Sequence, residues 1–219
     1  MYQNEEEDEE SSGIKVILIG EPGTGKTSLI NVSIGQEFNE KSISTLSSTF
    51  VPKIIKKDGK EYKLNIWDTA GQEKYRSLTK IFIKDSKIVI FVYAIDSKKS
   101  LEGIKSYWLE TIKEALGDQP VLGIVGNKSD LFMNEEVKEN EAKEFAEQNG
   151  MEFRLVTAKE NPNGFIQFLN KLLDIYLEKK GIVPETKKIR LNKDDITEDE
   201  NKKGGCCKKK NKNKNKNKK

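Results

Sequence analysis

Cysteine is nearly absent from this chain of 219 residues: it has two, Cys206 and Cys207. As neighbours in a lysine-rich stretch they suit neither a disulfide framework nor a zinc site, so a reducing, intracellular setting is expected. Long apolar runs are missing as well. The longest, Ile88 to Ile95, is eight residues, far short of the roughly 20 that a membrane-spanning helix needs. The acidic N-terminus lacks the basic-then-apolar order of a secretory signal. Arginine is scarce, with Arg76, Arg154 and Arg190 the only ones.

Charge is plentiful but unevenly spread. The formal net charge of +3 averages an acidic run, Glu5 to Glu10, against residues 202–219, more than half of which are lysine. Both ends differ in composition from the middle. Residues 1–12 read as an acidic disordered extension. Residues 181–219 read as a flexible tail whose Lys-Asn alternation cannot bury apolar surface. Between them, residues 13–180 form one expected domain, which at that size buries roughly 70% of its unfolded surface and folds without disulfides or a structural metal.

In the middle, short β-branched runs alternate with segments of helical period, the pattern of a mostly parallel α/β sheet with helices on both faces. Six strands are expected: Ile14–Ile19, Thr49–Lys57, Lys60–Trp67, Ile88–Ala94, Val121–Val125 and Phe153–Val156. Asp58-Gly59 between the second and third is a strong hairpin signal, so those two should be antiparallel. Pro52 cannot donate to a ladder, which puts the second strand at the sheet edge. Phe165, Phe168, Leu169, Leu172, Leu173, Tyr176 and Leu177 mark the core face of a helix.

The first strand runs into Gly20-Glu21-Pro22-Gly23-Thr24-Gly25-Lys26-Thr27, a complete phosphate-binding loop pattern in its strand–loop–helix context. Its glycines let successive N–H groups turn inward on a β-phosphate, at the positive end of the following helix. Lys26 should reach the β and γ oxygens and the Thr27 hydroxyl should ligate Mg²⁺. Asn127-Lys128-Ser129-Asp130 after the fifth strand selects the base. The acceptor-only Asp130 carboxylate matches the N1–H and exocyclic amine of guanine, whereas adenine would leave it unpaired at a cost of roughly 1–3 kcal/mol.

With Trp67-Asp68-Thr69-Ala70-Gly71-Gln72-Glu73 between the third and fourth strands, the chain resembles the Ras superfamily of small GTPases from Ile14 to about Leu177. The resemblance implies a small G domain binding GTP or GDP with Mg²⁺. Asp68 would hold the metal through water, the Gly71 N–H would contact the γ-phosphate and Gln72 would orient the attacking water, so Gln72, Lys26 and Gly71 are the expected catalytic residues. It also implies that Thr45, eighteen residues after Thr27, joins the metal site only with the γ-phosphate present, although Ser42, Ser44, Ser47, Ser48 and Thr49 surround it. Phe38 would stack on guanine. In Val156-Thr157-Ala158-Lys159 the Ala158 N–H would meet the guanine carbonyl. The expected nucleotide contacts are then Gly23, Thr24, Gly25, Lys26, Thr27, Ser28, Phe38, Thr45, Gly71, Asn127, Lys128, Asp130, Thr157, Ala158 and Lys159, with Thr27, Thr45 and Asp68 at the metal.

Within that superfamily, Lys63 to Trp67, Lys74 to Thr79 and Ile90 to Tyr93 resemble Rab signatures, and Phe50, Trp67 and Phe82 fall where Rabs carry an aromatic trio facing effectors. The trio reads equally as core. This implies a regulator of vesicle trafficking, working as a monomer with an exchange factor, an activating protein and effectors, on the cytoplasmic face of an intracellular membrane and cycling with cytosol. Two departures stand out. Ser47, Ser48 and Thr49 replace the Gly, Val and Asp usual in Rabs, so no familiar effector set carries over. Pro22 stands where Gly or a small polar residue is usual, fixing its own φ and removing one N–H. With no arginine before Thr45 to serve as an internal finger, unaided hydrolysis should be slow, between about 10⁻⁴ and 10⁻² per second.

Gly204-Gly205-Cys206-Cys207 looks like the pair that Rabs carry for geranylgeranylation, yet twelve residues follow it. The tail is trimmed, or the cysteines are palmitoylated, or they carry no lipid. The lysines offer a second attachment to an anionic leaflet. The basic tail lacks the interleaved aromatics of a nucleic-acid contact, so no nucleic acid is expected. The rival reading is a scaffold that binds GTP and scarcely hydrolyses it.

Overall fold

The computed structural model describes residues 13–40, 45, 49–69, 81–117 and 119–182. Six strands form one sheet: β1 (Ile14–Ile19), β2 (Thr49–Lys57), β3 (Lys60–Asp68), β4 (Ile88–Ala94), β5 (Val121–Asn127) and β6 (Glu152–Leu155), in the order β2-β3-β1-β4-β5-β6. All neighbours are parallel except β2 and β3. Asp58 and Gly59, at φ 48° and 75°, make the tight turn between those two strands, because a two-residue hairpin loop that follows the sheet twist needs positive φ at both positions. Pro52 lies in the edge strand β2, opposite Asn65.

Among the helices are α1 (Lys26–Ser33), α2 (Lys98–Gly103), α3 (Leu109–Leu116), α4 (Glu139–Gln148) and α5 (Pro162–Lys179). One π-helical turn, Ile104–Trp108, joins α2 to α3 so that they run as a single helix. A short 3₁₀ turn, Ser129–Asn134, follows β5. The buried side chains sort by sheet face. Val16 and Leu18 of β1 with Ile90 and Val92 of β4 pack under α1 and α5. Ile17 and Ile19 with Phe91 and Tyr93 pack under α2, α3 and α4. All seven residues of β4 are buried, as a central parallel strand covered on both faces requires. The apolar stripe from Phe165 to Leu177 is likewise buried in α5.

Four strand ends differ from the sequence expectation. β3 continues to Asp68, which pairs with Thr49. β5 runs two residues past Val125, because Gly126 and Asn127 still pair with Tyr93 and Ala94. β6 begins and ends one residue earlier, with Glu152 opposite Gly123 and Leu155 opposite Gly126. Asn127 therefore stands within the end of a strand rather than in the loop beyond it. The parallel strands deliver their carboxyl ends to one side of the sheet, where such folds build ligand sites.

Candidate functional site

At the end of β1 the chain turns tightly against β4 and β5. A Cβ on Gly20 would lie 2.1 Å from the Val92 carbonyl oxygen, and one on Gly25, at φ 88°, would lie 2.3 Å from Asn127 Nδ2. Only glycine fits either place. Lys26 opens α1 with 5% of its surface exposed, and its Nζ donates to the carbonyls of Gly20, 2.9 Å, and Glu21, 3.0 Å. Burial pulls its amine down to about 8, opposed by the charges of Asp68 and Glu21. A cation so desolvated gains strongly from an anion placed beside it.

Three oxygen-bearing side chains from separate segments meet at the next residue. Thr27 Oγ1 donates to Asp68 Oδ2 at 2.7 Å and lies 2.7 Å from Thr45 Oγ1, which reaches the same carboxylate oxygen at 3.2 Å. Thr69 fixes the end of β3 by donating to the Leu18 carbonyl, 2.7 Å. Burial raises the Asp68 carboxyl above its ordinary value, against the Thr27 bond and the Lys26 charge. Asp68 Oδ1 is buried and meets no donor among the described residues. An orphaned carboxylate oxygen beside two hydroxyls is a donor set that fits a hard cation such as Mg²⁺.

The base end is organised by Asn127, 2% exposed. Its Nδ2 donates to the Thr24 carbonyl, 2.9 Å, and its Oδ1 accepts from the Ala158 N–H, 3.3 Å. One amide thus ties the phosphate loop to the segment after β6. Asp130 Oδ1 accepts from Thr157 Oγ1 at 2.5 Å, and that hydroxyl also accepts from the N–H groups of Lys159 and Glu160. Lys128, in the left-handed region at φ 63°, pairs with Asp96 at 3.2 Å. Between these groups lies a pocket of about 350 Å³, lined by Gly23, Gly25, Ser28, Phe38, Asn127, Asp130 and their neighbours. Lys159 Nζ meets Glu40 Oε1 at 3.2 Å beside it.

The structure therefore brings Gly23, Thr24, Gly25, Lys26, Thr27, Ser28, Phe38, Thr45, Asp68, Asn127, Lys128, Asp130, Thr157, Ala158 and Lys159 to one side of the sheet. Gly71, Gln72, Cys206 and Cys207 lie outside the described residues. Sequence reasoning missed Asn39, Glu40 and Leu131 in the pocket lining, Asp96 behind Lys128, and the bond from Trp108 to Glu21. The first three follow Phe38 and Asp130 in the chain without a motif of their own, and the Asp96 and Trp108 contacts are long-range ones of ordinary residue types. Phe50, Trp67 and Phe82 stack in series at centroid separations of 5.2 and 5.7 Å. Phe50 is 51% exposed, whereas Trp67 and Phe82 are partly buried and pack against the core.

Among known proteins, the model of the Ras family matches residues 15–176. The chain is 35% identical over 201 residues to the Ras-related protein RabC of Dictyostelium discoideum, covering 91% of this chain and 100% of that protein. It is 36% identical to the Ras-related protein YPTC6 of Chlamydomonas reinhardtii, covering 88% of this chain and 94% of that one. Over a shorter stretch it is 42% identical to the Ras-related protein Rab-21 of Geodia cydonium, covering 67% of this chain and 64% of that one.

Proposed function

The chain belongs to the Ras family, as a Rab-like small GTPase, and from that premise we propose that it is a GTP-hydrolysing switch regulating vesicle trafficking. The observation that carries the reading is the pair of hydrogen bonds made by the Asn127 amide, which ties the phosphate loop to the segment beside the Asp130 pocket. In this reading Lys26 neutralises the β and γ oxygens and Asp130 pairs with the guanine edge. The Gly23 and Gly25 backbone leaves room for the phosphates, and Phe38 covers the base. Mg²⁺ would be held by Thr27, Thr45 and Asp68, and when bound it supplies charge neutralisation at the phosphates. Gln72 orients the attacking water and the Gly71 N–H meets the γ-phosphate. Thr45, contributed by a segment of its own, is the residue through which loss of the γ-phosphate releases that segment.

Unaided hydrolysis is slow, about 10⁻⁴ to 10⁻² per second, because no arginine precedes Thr45 to serve as an internal finger. An activating protein, an exchange factor and effectors are its partners. The exposed Phe50 beside Trp67 and Phe82 supports an effector surface there. No described helix is long and apolar enough to cross a membrane. Attachment to the cytoplasmic face of an intracellular membrane rests on the lysines of residues 208–219 and on a lipid at Cys206 or Cys207, since one chain plus a basic patch holds where either alone is marginal.

Single-turnover hydrolysis of GTP and ATP by the full chain with Mg²⁺, beside a Gln72→Leu variant, tests the switch. Slow turnover of GTP alone, lost in the variant, is the expected result. Tight GTP binding without turnover would replace the switch with the scaffold reading, for which the exposed Pro22 of the phosphate loop is the motive.

A further inference from the structure

Glu21 occupies a junction in the phosphate loop. Its carbonyl accepts from Thr24 Oγ1 and from Lys26 Nζ, both at 3.0 Å, so any shift of Glu21 moves the seat of the buried lysine. The proline that follows restricts Glu21 to extended backbone geometry, and its side chain adds a hold from outside the loop. That side chain leaves the loop altogether. Its Oε1 accepts from the Trp108 indole Nε1, 3.1 Å away and 87 residues along the chain.

The helix that meets it is shaped for the contact. Trp108, 1% exposed, is the last residue of the π turn between α2 and α3. A π turn inserts a residue into the helical repeat and re-aims the side chains that follow, and such turns recur at functional sites. One turn earlier, Gly103 leaves a gap that the Glu21 side chain fills: a Cβ there would lie 2.7 Å from Oε1 and 2.9 Å from Cγ. Helical φ at Gly103 permits any residue, so close approach is the reason for glycine at this position. The indole, the gap and the π turn thus converge on one carboxylate of the phosphate loop.

We propose that Trp108 and Glu21 form a positioning clamp through which the Lys98–Leu116 helix holds the phosphate loop and sets how long a bound guanine nucleotide stays. The inference rests on the reading of the site as a guanine-nucleotide pocket. Trp108 touches no nucleotide in this scheme; it acts through Glu21 on the carbonyls around Lys26. The same helix presents Lys105 outward, bonded to Glu141 of α4, so a partner that shifts this helix would loosen the loop from behind.

The test is the release rate of a fluorescent GDP from the full chain and from Trp108→Phe, Glu21→Ala, Glu21→Gln, the Trp108→Phe/Glu21→Ala pair and Ile112→Val. Loss of a charge-assisted hydrogen bond predicts release about tenfold faster in Trp108→Phe and in Glu21→Ala. The pair should be no faster than either single change, because both remove one interaction. Glu21→Gln keeps a carbonyl acceptor but loses the charge, so its release should fall between the parent rate and that of Glu21→Ala. Ile112→Val thins a fully buried side chain of the same helix and should lower thermal stability while leaving release unchanged. Release in Trp108→Phe and Glu21→Ala within about twofold of the parent would overturn the clamp, as would additive effects in the pair or equal acceleration in Ile112→Val. A parent that binds no guanine nucleotide would overturn the clamp and the GTPase reading together. A parent that binds tightly while both single variants release normally would overturn the clamp alone.

Discussion

Asn127 donates to one buried backbone group and accepts from another, so truncating it strands the Thr24 carbonyl and the Ala158 N–H at once. Each orphan costs about 1–3 kcal/mol, and a domain of this size loses about 2–4 °C per kcal/mol. Asn127→Ala is therefore expected to lower the melting temperature of nucleotide-free protein by at least about 4 °C, read by calorimetry. Gly25→Ala should be worse for binding than for folding. Its methyl would meet Asn127 Nδ2 at 2.3 Å, and titration with fluorescent GDP should show no saturable binding. At this scale the sequence speaks clearly wherever a residue type is demanded by local chemistry, as at Gly25, Lys26, Thr27 and Asp130. It is silent on Asp96, Glu40 and Trp108, whose parts come from where the fold brings them, 32, 119 and 87 residues from their partners.

Elements were most legible where a single residue forbids the alternatives. Asp58-Gly59 announced the hairpin and Pro52 the edge, since positive φ and a missing donor leave few other places for them. A methyl at Gly59, φ 75°, meets no atom within 4 Å, so Gly59→Ala should cost about 1 kcal/mol from backbone strain alone, measurable as a lower urea midpoint with unchanged slope. Strand ends were less legible, because Gly126 and Asn127 are poor strand formers held in β5 by pairing with β4. The π turn was not legible at all. Between helices, Lys105 and Glu141 meet at 2.7 Å, and the lysine's bond holds the Glu141 carboxyl below its ordinary value of 4.5. A depressed carboxylate contributes stability above its unfolded value and loses it as pH falls through the folded one. Glu141→Gln should thus cost at most about 1 kcal/mol at neutral pH, this being a solvent-exposed pair, and nothing in acid well below 4.5.

At the scale of the whole molecule, the acidic and basic ends set a charge asymmetry that the net +3 conceals. Removing residues 208–219 should abolish sedimentation of the unlipidated chain with vesicles rich in anionic lipid, and raising salt should mimic the deletion. Sedimentation unchanged by either would discard the lysines as an anchor. The strand order carries a further consequence, for synthesis. β1 is made early, yet its two sheet neighbours are β3 and β4, so its four fully buried residues wait for Ile88–Ala94 to leave the ribosome, several seconds at about 5–20 residues per second. The face beneath α5 waits longer still, for Phe165 to Leu177 to be made. A nascent chain halted before Pro162 should therefore be protease-sensitive throughout, and the growing polypeptide is a client for whatever chaperone shields apolar segments at the tunnel exit.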